Sequence, residues 1–173
     1  GRDVDLIEVL GRAACAGLMG AGVLPVIKHL PGHGRALVDS HVMLPRVTAS
    51  RLALAETDFE TFRRLAGQSL GMTAHVIYDA IDETRPATLS PTVISEIIRG
   101  YIGFDGLLMS DDLSMKALSG SLSERTEEAL SAGCDLVLHC NGDVAEMSDV
   151  AAAAAPLTDD AMGRWRNAAE CIR

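Results

Sequence analysis

The residues best suited to chemistry are concentrated in one segment, between Lys28 and His41. It holds one lysine, three histidines and one aspartate, and its glycine and proline residues allow the sharp turns that bring side chains together. Asp39 and His41 lie two residues apart. A carboxylate that accepts a hydrogen bond from one imidazole nitrogen fixes the tautomer and favours the protonated ring. The pair would therefore form an acid/base unit that works near neutral pH.

A second group of reactive side chains is the adjacent pair Asp111 and Asp112, which follows the apolar segment 106–109. Successive side chains of a strand point to opposite faces, so one carboxylate would enter a pocket while the other caps the following turn or helix. A carboxylate at the mouth of a pocket can act as a nucleophile. The alternative is a pair that only caps a helix, and taken by itself the pair favours that alternative.

The remaining histidines leave two interpretations open. His75 follows the apolar segment 70–74 and would either line the same pocket, as a substrate-binding residue, or be a hydrogen-bonded structural residue. A zinc site is the other option, because imidazole and carboxylate ligands suit zinc. Its ligands would be His29, His33, His41 and His75. Because Lys28 beside His29 would repel a cation, we favour acid/base chemistry and expect no metal and no other cofactor.

Strands that alternate with helices would position these side chains. Short apolar segments predict four strands, at 23–28, 70–74, 106–110 and 135–138. Apolar residues at helical spacing predict helices at 3–19, 90–101, 124–132, 144–155 and 158–172. Thr57 and Glu60 have the spacing of a capping box and predict one more helix start.

This order predicts an α/β fold with a parallel sheet and right-handed crossovers. An open doubly wound sheet and part of a (β/α)₈ barrel both satisfy it. Reactive side chains follow several of the strands directly, as a barrel active site requires, and the sequence contains no glycine-rich phosphate loop. We therefore predict a partial (β/α)₈ TIM barrel, and four strands amount to about half of one.

The composition argues against several classes of function. The chain has 173 residues with a formal net charge of -9, which disfavours binding to nucleic acid or to an anionic membrane. Aromatic residues make up 3%, too few for a base-stacking platform. No apolar run approaches the roughly 20 residues of a membrane span. The four cysteines show no metal-ligand spacing, and reduced thiols are typical of a cytoplasmic protein.

Taken together, these segments resemble the bacterial β-N-acetylhexosaminidases of glycoside hydrolase family 3. The resemblance extends over the whole chain. The segments that carry it are KHLPGHG at 28–34, DSH at 39–41, MTAH at 72–75, RPATLS at 85–90, GFDGLLMSDDLSM at 103–115 and AGCDLVLHCNG at 132–142. Residues 1–173 are therefore expected to be the C-terminal portion of the family's barrel domain.

The resemblance implies a reaction and a set of residue roles. Members of the family remove terminal β-linked N-acetylglucosamine with retention of configuration, and the single-domain bacterial members act in the cytoplasm on muropeptide fragments during cell-wall recycling. By motif, Asp111 would be the nucleophile, His41 the general acid/base and Asp39 its partner. Lys28 and His29 would bind hydroxyls of the sugar.

The resemblance also implies that part of the barrel precedes Gly1. The family's first strands supply an aspartate and at least one arginine that hold the sugar, and no segment of this chain corresponds to them. We therefore expect the chain alone to be inactive or nearly so, and a catalytically silent sugar-binding fragment is a further alternative. The sequence does not specify the oligomeric state.

Overall fold

Four parallel strands form the main sheet in the computed structural model, which describes residues 3–38, 40 and 43–171. In order across the sheet they are β1 (Val26–Leu30), β3 (Leu70–Thr73), β5 (Leu107–Asp112) and β6 (Leu136–Leu138). A small second sheet pairs β2 (Arg46–Val47) in parallel with β4 (Ile77–Tyr78). The second sheet was not predicted, because two residues are too few to show a periodic pattern.

Helices precede, separate and follow the strands of the main sheet. They are α1 (Val4–Gly20), α2 (Arg51–Glu56), α3 (Asp58–Arg64), a 3₁₀ turn (Ala87–Leu89), a π-type helix (Val93–Tyr101), α4 (Leu122–Ala132), α5 (Val144–Ala153) and α6 (Asp159–Glu170). Within the described ranges, no helix is long and apolar enough to cross a membrane. The alternation confirms the predicted α/β fold, a partial barrel of parallel strands and helices.

The predicted capping box at Thr57 is wrong, although a helix does begin beside it. Thr57 lies at the end of α2, and its hydroxyl donates a hydrogen bond to the Ala53 carbonyl at 2.7 Å. The Glu60 carboxylate is bound by Arg63 and Arg64 instead of by the backbone of Thr57. A true capping box begins α4. The Ser121 hydroxyl accepts a hydrogen bond from the Glu124 N–H, and the Glu124 carboxylate accepts one from the Ser121 N–H.

β5 is buried on both faces over its apolar half, as its continuous apolar sequence predicted. Leu107 and Leu108 are consecutive in β5 and both are fully buried. Gly71 of β3 is closely surrounded, because an added Cβ would lie 2.7 Å from side-chain atoms of Leu30 on β1 and of Phe104, which follows the π-type helix. The absence of a side chain at Gly71 therefore allows these two side chains to pack against β3.

Asp135 fixes the end strand β6 against β5. Its buried carboxylate accepts hydrogen bonds from the Leu108 N–H at 2.8 Å, from Arg99 at 2.8 Å and from Arg164 at 3.0 Å. At the other end of the pair, the Ser110 hydroxyl accepts a hydrogen bond from the backbone N–H of Leu138 at 3.0 Å. These contacts set which residues lie at the carboxyl ends of the two strands.

Candidate active site

Side chains from two non-adjacent strands meet at the carboxyl ends of the sheet. His29 lies on β1 and Asp111 on β5, with β3 between the two strands. His29 Nε2 is nevertheless 3.5 Å from Asp111 Oδ2. The side chains are 27% and 15% exposed, respectively, so the contact is sheltered but open to solvent. This convergence is the geometry expected where a curved barrel sheet brings alternate strands together.

The two oxygens of Asp111 have different surroundings. Oδ1 accepts a hydrogen bond from the backbone N–H of Asp112 at 2.9 Å. Oδ2 faces His29. One oxygen is therefore held by the backbone, while the other faces a side chain on the far side of β3. A carboxylate held in this way can act as a nucleophile through its second oxygen.

His29 has a pKa below its ordinary value. Burial is the main cause, and the positive charge of Lys28 acts in the same direction, whereas the Asp111 carboxylate opposes the shift. The ring is therefore neutral at neutral pH and can donate or accept one hydrogen bond at each nitrogen according to its tautomer. Lys28 is exposed and adds a fixed positive charge beside the ring.

Asp112 caps the turn that follows β5, which is the role that strand alternation predicted for one of the two aspartates. Its Oδ1 accepts hydrogen bonds from the backbone N–H groups of Ser114 at 3.0 Å and Cys140 at 3.1 Å. Its Oδ2 accepts one from the Ser114 hydroxyl at 2.6 Å. Burial alone would raise the pKa of Asp112, but these hydrogen bonds outweigh it and hold the pKa below its usual value.

His75 is fully buried behind this turn. Its Nε2 lies 3.0 Å from the carbonyl oxygen of Asp112, and its Nδ1 lies 2.8 Å from the Thr88 hydroxyl. Because a carbonyl only accepts, Nε2 carries the hydrogen, and burial lowers the pKa of the ring. With both nitrogens occupied, His75 has an internal role in place of the predicted contact with substrate.

Thr88 is a residue that the sequence analysis did not single out. Its Oγ1 lies 2.8 Å from Thr73 Oγ1 and 3.1 Å from the Ala74 carbonyl oxygen, in addition to its contact with His75. The only signal for it was its place within the segment 85–90, which carried part of the family resemblance. Its burial in a hydrogen-bonded network accounts for a threonine at this position.

Asp39 and His41, the predicted acid/base pair, lie outside the described residues. The zinc alternative needed His41 together with three other histidines. Across residues 3–38, 40 and 43–171, no group of three or more potential ligands is placed to hold a metal ion. His29 and His33 are neighbours, with ring centroids 5.6 Å apart, but both nitrogens of His75 are already hydrogen-bonded.

Cys140 and His139 also lie at this edge of the sheet, and no functional role was predicted for either. Cys140 is exposed, and the pKa of its thiol is raised by burial of the sulfur and by the charges of Asp112 and Asp111. The thiol is therefore protonated near neutral pH and is a weak nucleophile. His139 contacts the Glu146 carboxylate through Nε2 at 2.7 Å.

Comparison with known proteins gives the family of this chain. The profile of the glycosyl hydrolase family 3 N terminal domain matches residues 1–170. The chain belongs to glycosyl hydrolase family 3. It is 48% identical over 141 residues to the β-hexosaminidase of Alkalilimnicola ehrlichii, an alignment that covers 79% of this chain and 40% of the relative. The chain thus spans about two fifths of the length of this curated relative.

Solved structures of family 3 enzymes share the fold. A β-N-acetylglucosaminidase from Paenibacillus sp. superposes with a TM-score of 0.81 at 34% identity, over 97% of this chain and 34% of that one. NagZ from Neisseria gonorrhoeae, in complex with N-trifluoroacetyl-D-glucosamine, superposes with a TM-score of 0.80 at 36% identity, over 92% of this chain and 46% of that one. This family 3 chain therefore corresponds to less than half of either enzyme.

Proposed function

We propose that the full-length protein is a retaining glycosidase that removes terminal β-linked N-acetylglucosamine, with Asp111 as the nucleophile. The observation that carries the proposal is the position of the Asp111 carboxylate, 3.5 Å from His29 at the carboxyl ends of the strands. The names of the related enzymes and the sugar bound to the Neisseria gonorrhoeae protein support the substrate class.

The reaction proceeds in two displacements. In the first, Asp111 Oδ2 forms a bond to the anomeric carbon while the bond to the glycosidic oxygen breaks, and His41 gives its proton to that oxygen. In the second, His41 takes a proton from water, and the water oxygen displaces the carboxylate from the same carbon. Two inversions leave the configuration unchanged, and the histidine is ready to return a proton.

The other predicted residues support these steps. Asp39 stabilises the protonated imidazole of His41 between turnovers. Lys28 and His29 bind hydroxyls of the sugar, and the neutral ring of His29 fits this role because it donates a hydrogen bond without forming an ion pair with the nucleophile. A permanently charged His29 would hold Asp111 as a salt bridge and weaken its attack on the sugar.

Muropeptide fragments from peptidoglycan recycling are the proposed substrate, and the cytoplasm is the proposed compartment. Both come from the family resemblance, and the four free cysteines fit a reducing compartment. Incubation of the full-length protein with anhydromuropeptides, followed by mass spectrometry, would show release of N-acetylglucosamine. Cleavage of chitin oligosaccharides alone would contradict the muropeptide assignment and leave the reaction class intact.

The nucleophile is tested by covalent labelling of the full-length protein. A fluorinated N-acetylglucosaminyl fluoride should form a stable ester, and peptide mass spectrometry should place it on Asp111. Asp111→Ala should abolish both the ester and nearly all hydrolysis of an aryl N-acetylglucosaminide. Asp149→Ala, which removes an exposed carboxylate on α5, is the matched control and should leave both unchanged.

Three results would count against this assignment. An ester on Asp112 would move the role by one residue, and undiminished hydrolysis by Asp111→Ala would exclude Asp111 altogether. Loss of activity on treatment with a chelator, restored by zinc, would favour a metal-dependent hydrolase instead.

A further inference from the structure

We propose that Asp112 and His75 are positioning residues that hold the Asp111 carboxylate with Oδ2 directed at the sugar. The inference rests on the proposed role of Asp111 as nucleophile and goes beyond it, because it says which residues direct Oδ2, and not Oδ1, at the sugar. Neither residue touches the reacting atoms in this scheme. Each acts through the backbone between Asp111 and the turn that follows.

The selection begins at the backbone N–H of Asp112. It donates to Asp111 Oδ1 at 2.9 Å, so that oxygen and the peptide unit beside it move as one body. A carboxylate with one oxygen held in this way can present only the other to a reacting carbon. The direction of Oδ2 therefore depends on the orientation of the Asp112 backbone.

The carboxylate of Asp112 holds that backbone from two sides. Its bonds to the Ser114 N–H and hydroxyl close the turn after β5, and its bond to the Cys140 N–H ties this turn to the end of β6. We call these three hydrogen bonds of the Asp112 carboxylate the Asp112 clamp. Because Asp135 fixes β6 against β5, the clamp has a rigid support. Three donors converge on one carboxylate, an arrangement that stabilises its charged form.

His75 holds the backbone carbonyl group of Asp112. Its Nε2–H donates to the Asp112 carbonyl, and its Nδ1 accepts from the Thr88 hydroxyl, which is backed by Thr73. The N–H, the carbonyl and the carboxylate of Asp112 are therefore all engaged. A buried network in which every member is satisfied is rigid, because any rotation leaves a polar group without a partner.

The expected cost of loosening this clamp falls on the chemical step. A displacement of a reacting group by about 1 Å can lower a rate on the order of 100-fold. Asp112→Ala should therefore lower kcat by about 10- to 100-fold, while KM stays within about two-fold of the wild-type value. Asp112→Asn should restore most of the rate, because its amide oxygen can accept from Ser114 and Cys140 and the Ser114 hydroxyl can turn to accept from the amide nitrogen.

The experiment measures how fast the fluorinated glycosyl fluoride labels Asp111 in the full-length protein. The limiting labelling rate should fall in Asp112→Ala, while the reagent concentration for half-maximal rate stays constant. Ser114→Ala removes one of the three bonds and should show a smaller loss of the same kind. Asp143→Ala removes a carboxylate that caps α5 through two backbone N–H groups and should leave the labelling rate unchanged.

Two results would overturn the inference. One is an unchanged labelling rate in both Asp112→Ala and Ser114→Ala. The other is an Asp112→Asn protein as slow as Asp112→Ala, since a clamp that accepts hydrogen bonds would survive that change. Both results are distinct from a failure of the proposed function. If the proposed function is wrong, the wild-type protein itself is not labelled on Asp111.

Discussion

His29 and His75 show how position changes the chemistry of one residue type. Burial lowers the pKa of both rings. His29 keeps one side open to solvent beside Asp111, so its neutral ring remains available to a ligand. His75 is sealed, and its hydrogen bonds serve the protein interior. Each follows a short apolar segment, so the position after a predicted strand did not by itself predict this difference.

The lowered pKa of His75 predicts a pH-dependent stability. A histidine whose folded pKa lies below its unfolded value binds more protons when unfolded, so the free energy of unfolding rises with pH through that interval. The folded protein should therefore lose stability as the pH falls below about 6.5. His75→Gln, which keeps a donor for the Asp112 carbonyl but cannot titrate, should flatten this slope. Urea unfolding of the full-length protein at pH 5.5, 6.5 and 7.5 would measure it.

His29→Gln is the comparison for this measurement, since its partly exposed ring should contribute a shallower slope. An identical pH slope in the unchanged protein and in His75→Gln would contradict the expected linkage. A loss of stability in His75→Gln that is equal at all pH values would not contradict it, because the linkage concerns how the free energy of unfolding varies with pH.

Each of the four predicted strands differs from the observed one by at least one residue, and the two largest differences, at β1 and β5, have identifiable reasons. β1 was predicted at 23–28 and lies at Val26–Leu30. The predicted segment contains Pro25, which has no N–H to donate, and the strand begins just after it. β5 was predicted at 106–110 and extends to Asp112. The strand continues there because Asp112 pairs with Leu138 of β6, while Asp111 faces the site.

The space around two glycines predicts opposite effects on stability when a methyl group is added. Gly71→Ala would place a methyl group 2.7 Å from Leu30 and Phe104, so we expect a loss of about 1–3 kcal/mol of stability. Gly17 lies inside α1, where an added Cβ meets nothing within 4 Å. Gly17→Ala should therefore stabilise the helix by about 0.5–1 kcal/mol. Denaturant unfolding of the two variants checks both signs.

An increase in stability for Gly71→Ala would mean that the Leu30 and Phe104 side chains can move aside at no cost. A loss for Gly17→Ala would mean that this face of α1 packs against another part of the full-length protein, since the described residues leave the position open.

At the scale of the whole molecule, the sheet has two outer strands, β1 and β6, each paired on one side only among the described residues. Helix α1, next to β1 in sequence, exposes apolar side chains. Leu6 is 54% exposed, Val9 64% and Leu10 61%. A helix of a complete barrel would bury such residues against the neighbouring layer. The chain therefore has the surfaces of part of a barrel, in keeping with its share of its relatives' length.

The 173-residue chain by itself should be inactive or nearly so. Asp111 and His29 would be present, but the positioning that a complete sugar site provides can account for about 7–11 kcal/mol of a reaction barrier. Hydrolysis of an aryl N-acetylglucosaminide by the purified chain, compared with the full-length protein, measures the difference. Turnover by the monomeric chain within about 100-fold of the full-length rate would contradict this expectation.

The sequence by itself determined the fold class and the residues worth testing. Apolar strands alternating with helices favour a parallel sheet, because a helical crossover returns the chain in the same direction. The same logic placed reactive side chains at one edge of that sheet. These conclusions depend on periodicity and residue type, both of which are local.

Only the tertiary structure decided which side chains touch. His29 and Asp111 are separated by more than eighty residues and an intervening strand, and their contact depends on the curvature of the sheet. His75 was expected either to line the substrate pocket or to be a hydrogen-bonded structural residue, and its hydrogen bonds to Asp112 and Thr88 favour the second role. The physical reason is that a side chain's partners depend on the register and twist of strands distant in sequence, which no local pattern records.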